Sequence, residues 1–265
     1  MKPLIVDTLA SGKGTRLTTR DVIGAGPRTV AGVLEKHGME PTIVPVEKFL
    51  RGKNEIKGFD VILISGMTPD ISAMGKTIRK WRRGNNGSVI IGGPASSEPE
   101  RVLKRTGADI AITGEGEMTL SELIDLGALH GATDGLDKVL GISYRIKKTV
   151  TVNPLRSVQS REIFKEYQAS TDTITGYDLY KSARVYVEIL RGCSNYHRAR
   201  IGPLGDSCTF CEQCTELSLT ERYDCPVGIP PGCGYCSVPS LYGPPKSRQS
   251  ELIINEVRRL LDLGV

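Results

Sequence analysis

No cysteine occurs in the first 192 of the 265 residues. That stretch has no thiolate for a metal and no disulfide to brace it, so it must fold on apolar packing alone. Aromatic residues are scarce at 5%, and no nucleic-acid stacking platform is read among them. Phe164, Tyr167, Tyr177 and Tyr180 instead read as packing anchors. No apolar run approaches about 18 residues, so no membrane-spanning helix is expected. The opening residues carry one lysine and a short apolar run, not an export signal, and a cytoplasmic location is expected. The net charge of +5 is mild and reads as a solvated surface, with no evident nucleic-acid or membrane partner. "SGKGTR" lacks P-loop spacing, because Gly14 follows Lys13 where Ser or Thr is required. No G-x-G-x-x-G follows the first strand, which argues against a dinucleotide site.

What is present first is an alternation of strand and helix. "PLIVDTL", "TIVPVE", "FDVILISG", "SVIIGG" and "ADIAITG" read as five strands. Their unbroken Val, Ile and Leu runs suit strands covered on both faces. The helices between them fall in residues 20–37, "DISAMGKTIRKWRRG", "EPERVLKRTG" and "EGEMTLSELIDLG". Gly24, Gly26, Pro27 and Gly32 weaken the first half of the first helix, and Asp70 or Ser72 can cap the second. The pattern predicts an α/β, Rossmann-like, doubly wound parallel sheet, which binds ligands beyond the carboxyl ends of its strands. The residues there are 8–14, 65–69, 92–95 and 114–117, and three of these loops carry glycine at the strand exit.

The cysteines are Cys193, Cys208, Cys211, Cys214, Cys225, Cys233 and Cys236. Their odd number and x2 spacings argue for a reduced compartment and metal ligation over disulfides. Zinc is an alternative, since Cys-x2-Cys pairs also suit a tetrahedral site. Three plus four fits one iron–sulfur cluster with an open iron and one fully ligated cluster. "ARVYVEILRGC" reads as a strand delivering Cys193, and "RQSELIINEVRRLLDLG" as an amphipathic helix. A strand, a metal loop and a helix make the first unit of a β/α barrel, whose sites lie at that strand end.

"FDVILISGMTPDI", "SVIIGGPASSEP" and "GADIAITGEGEMTLSELI" resemble the cobalamin-binding domain of B12-binding radical SAM proteins. The resemblance implies that Ser65, Gly66, Met67 and Thr68 line the pocket for the dimethylbenzimidazole tail. It implies that Gly92, Gly93 and Pro94 pass near the nucleotide loop, and that Gly114, Glu115, Gly116 and Glu117 close the far edge. The sequence departs from the classical Asp-x-His-x-x-Gly motif: Asp7 is present, but Leu9 holds the histidine slot.

The cysteine region resembles the radical SAM superfamily, whose usual signature is Cys-x3-Cys-x2-Cys with an aromatic before the last cysteine. Cys193, Cys233 and Cys236, with Tyr235 in the aromatic position, fill that pattern around an insertion at 194–232. Within the insertion Cys208, Cys211, Cys214 and Cys225 have the rhythm of a ferredoxin cluster. A second partition stays open, with Cys193, Cys208 and Cys211 on the SAM cluster and Cys214, Cys225, Cys233 and Cys236 on the other. The first is preferred because Cys233 and Cys236 lead directly into "SVPSLYGPPKSR" and the helix. Arg191 and Gly192 shape the entry to the cluster loop, and Arg248 is a candidate for SAM or a corrin propionate.

The resemblance divides the chain into a cobalamin-binding-like domain at 1–135, a linker with a short β pair at 136–183, and the start of a radical SAM domain at 184–265. It implies a cobalamin, a [4Fe–4S] cluster that binds and cleaves S-adenosylmethionine, a second [4Fe–4S] cluster and a low-potential electron donor. The implied activity is methylation of an unactivated carbon or phosphorus through methylcobalamin. Two other readings are an iron–sulfur electron-transfer or accessory protein, or an inactive fragment, and a zinc-stabilised interaction module. The chain ends at "LDLGV", after the first barrel helix. It is therefore expected to be inactive alone, with another polypeptide supplying the rest of the barrel.

Overall fold

Side chains alternate across a strand, and in the strand Pro3–Asp7 (β1) this sends Leu4 and Val6 to one core and Ile5 to another. All five residues of β1 are buried. The computed structural model describes residues 1–52, 56–198, 211 and 225–265. After β1 come Val22–Ile23 (β2), Ala25–Lys36 (α1), Thr42–Pro45 (β3), Val46–Arg51 (α2), Val61–Ser65 (β4), Ile71–Gly84 (α3) and Val89–Gly92 (β5). Pro99–Thr106 (α4), Ile110–Ile112 (β6), Gly116–Asp125 (α5), Ile142–Ile146 (β7) and Thr149–Val152 (β8) follow.

The main sheet has the order β3-β1-β4-β5-β6-β7-β8. Its first five strands are parallel, and the order reverses between β1 and β4. The α/β doubly wound expectation therefore holds. Ile5, Leu63, Ile90 and Ile112 form one core with Val33, Leu34, Leu120 and Leu123 from α1 and α5. Leu4, Ile62, Ile64 and Ile91 form the other, with Phe49 of α2, Met74, Ile78 and Trp81 of α3, and Val102 and Leu103 of α4.

Three local readings are corrected. The first helix begins at Ala25, after the short β2, not at residue 20. Asp70 stands at the N-cap position of α3, but its side chain makes no capping hydrogen bond there; its carboxylate accepts the backbone N–H groups of Ala10, Gly12 and Met67. The hairpin β7–β8, read as part of the connection, extends the sheet antiparallel from β6.

The connection lies against the first core. Its elements are the helix Arg161–Glu166 (α6) and several short turns. Phe164, Tyr167 and Tyr177 are buried, as the packing-anchor reading expects. A Cβ on Gly32 would stand 1.8 Å from the Gln168 carbonyl oxygen. A helical glycine costs about 1 kcal/mol against alanine, and here it permits that approach. Arg28 is fully buried and joins α1 to the rest: it donates to the Ser170 and Tyr186 carbonyls and to Glu256 at 2.6 Å. Asp7 is paired with Arg16 and accepts the Tyr177 hydroxyl. Burial nonetheless raises its carboxyl, with Arg16 opposing.

The C-terminal part contains Arg184–Val185 (β9), Leu190–Arg191 (β10), Val238–Tyr242 (α7), Lys246–Ser247 (β11) and Ser250–Asp262 (α8). "ARVYVEILRGC" is not one strand. β9 pairs parallel with β2, whereas β10 pairs antiparallel with β11. Between them the Tyr186 carbonyl is taken by Arg28 and the Ile189 carbonyl by the Arg248 amide. These commitments divide the ladder, and among the described residues no β/α-barrel start is formed. Among the described residues, no helix is long and apolar enough to cross a membrane.

Candidate functional site

A cavity of about 370 Å³ opens at the carboxyl ends of the parallel strands. Its floor is the apolar sheet face, with Ile5, Leu63, Ile90 and Ile112. Ala25, Gly26, Thr29, Val30 and Val33 of α1 form one side, and Leu120 of α5 stands opposite. Ser65, Gly92 and Gly93 edge the strand exits. This is the crevice where doubly wound sheets take ligands.

The cavity sorts the site residues expected from sequence. Ser65, Gly92, Gly93, Gly114, Glu115, Gly116 and Glu117 line it; Gly66, Met67, Thr68, Pro94 and Tyr235 do not. A Cβ on Gly92 would meet nothing within 4 Å, so its absence leaves open space. Gly66 and Gly93 are required by packing: a Cβ on Gly66 would lie 2.2 Å from Thr8 Oγ1, and one on Gly93 2.7 Å from the Gly66 oxygen. Met67, Thr68 and Pro94 are exposed, and Tyr235 is 93% exposed.

The first turn of α1 was not expected in the site. Its signal was present in Gly26, which read only as weakening the helix. Glu188, Leu190, Arg191, Gly192, Val238 and Tyr242 complete the lining from the C-terminal part. They reach it through pairings remote in sequence.

The far edge is a buried ionic cluster. Arg191 contacts Glu115 at 3.2 Å and Glu117 at 2.7 Å, and Glu188 holds its Nε and Nη2 at 2.9 and 2.8 Å. Lys246 Nζ lies 2.8 Å from Glu115. The Gln159 backbone N–H donates to Glu115 and its side-chain amide to Glu117. Burial alone would raise the Glu117 carboxyl, but the Arg191 charge and the hydrogen bonds it receives hold it below the ordinary value. Burial lowers the Lys246 ammonium, with Glu115 opposing. Burial raises the Tyr242 phenol. Arg248 is buried over the Phe164 ring at 4.7 Å, and among the described residues its Nε and Nη2 make no hydrogen bond.

The cavity suits the nucleotide tail of a cobalamin. A flat apolar base matches the sheet floor, Gly92 leaves room at the strand exit, and the Ser65 hydroxyl and buried charges lie at the polar end. Among the described residues, no histidine lines the cavity. His37 is at the end of α1, with its Nε2 2.5 Å from Ser121 Oγ.

The cysteines are a different case. Cys233 and Cys236 are exposed, and Cys193, Cys211 and Cys225 are half-buried. Among the described residues, no three His, Cys, Asp or Glu side chains gather as a metal site. The trio Cys193, Cys233 and Cys236 therefore does not present a ready ligand set for a [4Fe–4S] cluster. Cys208 and Cys214 lie outside the described residues.

Residues 18–124 match the family model described as B12 binding domain. These residues have the fold of a B12-binding module. An uncharacterized protein of Methanocaldococcus jannaschii is 42% identical over 269 residues, covering 100% of this chain and 49% of its own length. Another from Methanopyrus kandleri is 39% identical, covering 99% of this chain and 47% of its own. The chain thus spans about half the length of the curated relatives it matches. The radical S-adenosylmethionine methyltransferase TsrM of Kitasatospora setae, solved with cobalamin and a [4Fe–4S] cluster, superposes with a TM-score of 0.63. At 13% identity, over 100% of this chain and 47% of TsrM, the likeness is one of fold.

Proposed function

We propose that this chain is the cobalamin-binding portion of a cobalamin-dependent radical SAM enzyme, a methyltransferase acting on an unactivated carbon or phosphorus. The observation that carries the reading is the cavity at the strand exits, with its apolar floor and open space at Gly92. The match of residues 18–124 and the TsrM-like fold support it.

When bound, cobalamin supplies a cobalt that carries and gives up a methyl group. The chain's own residues would hold its tail: Ile5, Leu63, Ile90 and Ile112 would exclude water from the base, and Ser65 would offer a hydroxyl at the strand exit. Leu9 stands in the histidine slot, and among the described residues the cavity lining holds no histidine, so its residues would hold the cofactor without offering an imidazole.

The proposal extends to S-adenosylmethionine, to a low-potential electron donor and to a reducing cytoplasm. It also includes a further polypeptide segment that supplies the catalytic barrel. Tyr186, Ile189, Leu190, Ile254, Val257 and Leu261 are exposed apolar side chains on the C-terminal part, and they support a covering partner there.

The test is anaerobic binding of cyanocobalamin, followed by gel filtration and visible absorbance. Near-stoichiometric retention is expected, and passage of the protein without corrinoid colour would overturn the reading.

A further inference from the structure

Two walls of the cavity are tied together by one side chain. The first wall is the turn into α5, with Glu115 and Glu117; the second is the segment Glu188, Leu190, Arg191 and Gly192. Arg191 spans them, at 3.2 Å from Glu115 and 2.7 Å from Glu117. It cannot move freely on its own side, because Glu188 holds two of its nitrogens and its guanidinium lies 4.6 Å over the Phe164 ring.

The backbone beyond Arg191 is equally constrained. Gly192 has φ +98, and a Cβ there would lie 2.2 Å from the Pro244 oxygen. The Cys193 amide then donates to the Gly243 carbonyl at 3.0 Å. On the other side, β10 is paired with β11, whose Lys246 also reaches Glu115. The path from the cavity wall to the Cys193 backbone therefore runs through close contacts at Arg191, Gly192 and Cys193. A ligand that changes the spacing of the walls acts on Cys193 through these contacts.

We propose that Arg191 is a positioning residue coupling occupancy of the cavity to the placement of Cys193. The inference rests on the reading that the cavity takes the cobalamin tail. It assigns the buried cluster a role in linkage between two sites, through a contiguous and identifiable set of contacts.

Alkylation of Cys193 by iodoacetamide in the full chain tests this, read by peptide mass spectrometry against Cys233 as an internal reference. The probes are cyanocobalamin and dicyanocobinamide, which share the corrin ring but differ in the nucleotide tail. Direct shielding by the ring is common to both. Cyanocobalamin is expected to change the Cys193 rate about fivefold more than dicyanocobinamide, a modest coupling between sites. In Arg191→Lys and Glu117→Gln, each compared at corrinoid concentrations that saturate that variant, the difference should collapse.

Equal effects of the two probes in the native chain would overturn the inference. So would a full difference persisting in both variants. Should one variant fail to fold, the other decides the role of the Arg191–Glu117 pair, and the comparison of probes in the native chain decides whether any coupling exists. Absence of cyanocobalamin binding would overturn the proposed function and this inference together, whereas binding without a change at Cys193 would overturn the inference alone.

Discussion

The Asp70 carboxylate accepts the Gly12 backbone N–H at 2.8 Å and so fastens the loop after β1 to the start of α3. The same carboxylate holds Ala10 and Met67. Hydrogen bonds to a buried charged acceptor contribute about 1.5–3 kcal/mol. Asp70→Ala should destabilise the chain by at least that amount, measured by urea unfolding. A loss within error would show that the loop is held by other contacts.

Gly92 and Gly66 should separate binding from folding. Gly92→Leu places a side chain in open space, so cyanocobalamin affinity should fall about tenfold or more, equivalent to about 1.4 kcal/mol. Its thermal midpoint should stay close to that of the native chain. Gly66→Ala meets Thr8 Oγ1 at 2.2 Å and should lower the midpoint. Reversed outcomes would mean that the strand-exit glycines have the opposite roles.

Acid stability follows from Glu117. Its folded carboxyl lies below the ordinary value of 4.5. The stability it contributes is therefore complete above about that pH and is lost as pH falls through the lower folded value. Glu117→Gln should flatten this acid limb, with the neutral-pH stability reduced by about 1–3 kcal/mol. Unfolding midpoints from pH 7 downward give the comparison, and an unchanged limb in the variant would assign the acid loss to other groups.

The axial ligand of cobalt can be read spectroscopically. With the benzimidazole tail taken into the cavity, as proposed, and no histidine among the described lining residues, cob(II)alamin bound to the chain should lack the nitrogen splitting that a histidine imidazole or bound benzimidazole produces in electron paramagnetic resonance. A clear triplet splitting would place a nitrogen on cobalt.

The cysteines are tested by composition. After anaerobic reconstitution, about eight iron and eight sulfide per chain would match two four-iron clusters in the three-plus-four partition. About four of each would leave one set vacant. Retained zinc with no iron would replace both clusters by a structural metal site.

Much of the first half was legible because its information is local. The Val, Ile and Leu runs of β1, β4 and β5 announce strands buried on both faces, and glycines at their exits mark where a ligand can approach. Ser65, Gly92 and Gly114 through Glu117 were found on that basis, and they line the cavity. Sequence by itself thus determined the α/β class and the end of the sheet where the cavity opens. Tertiary structure alone decided that the β7–β8 hairpin joins the sheet, that α1 walls the cavity, and that "ARVYVEILRGC" divides between two ladders. It also brought Arg191 to Glu115 and Glu117. Strand periodicity is written in neighbouring residues, but an ion pair between distant segments exists only once packing has removed water and brought both charges to the same place.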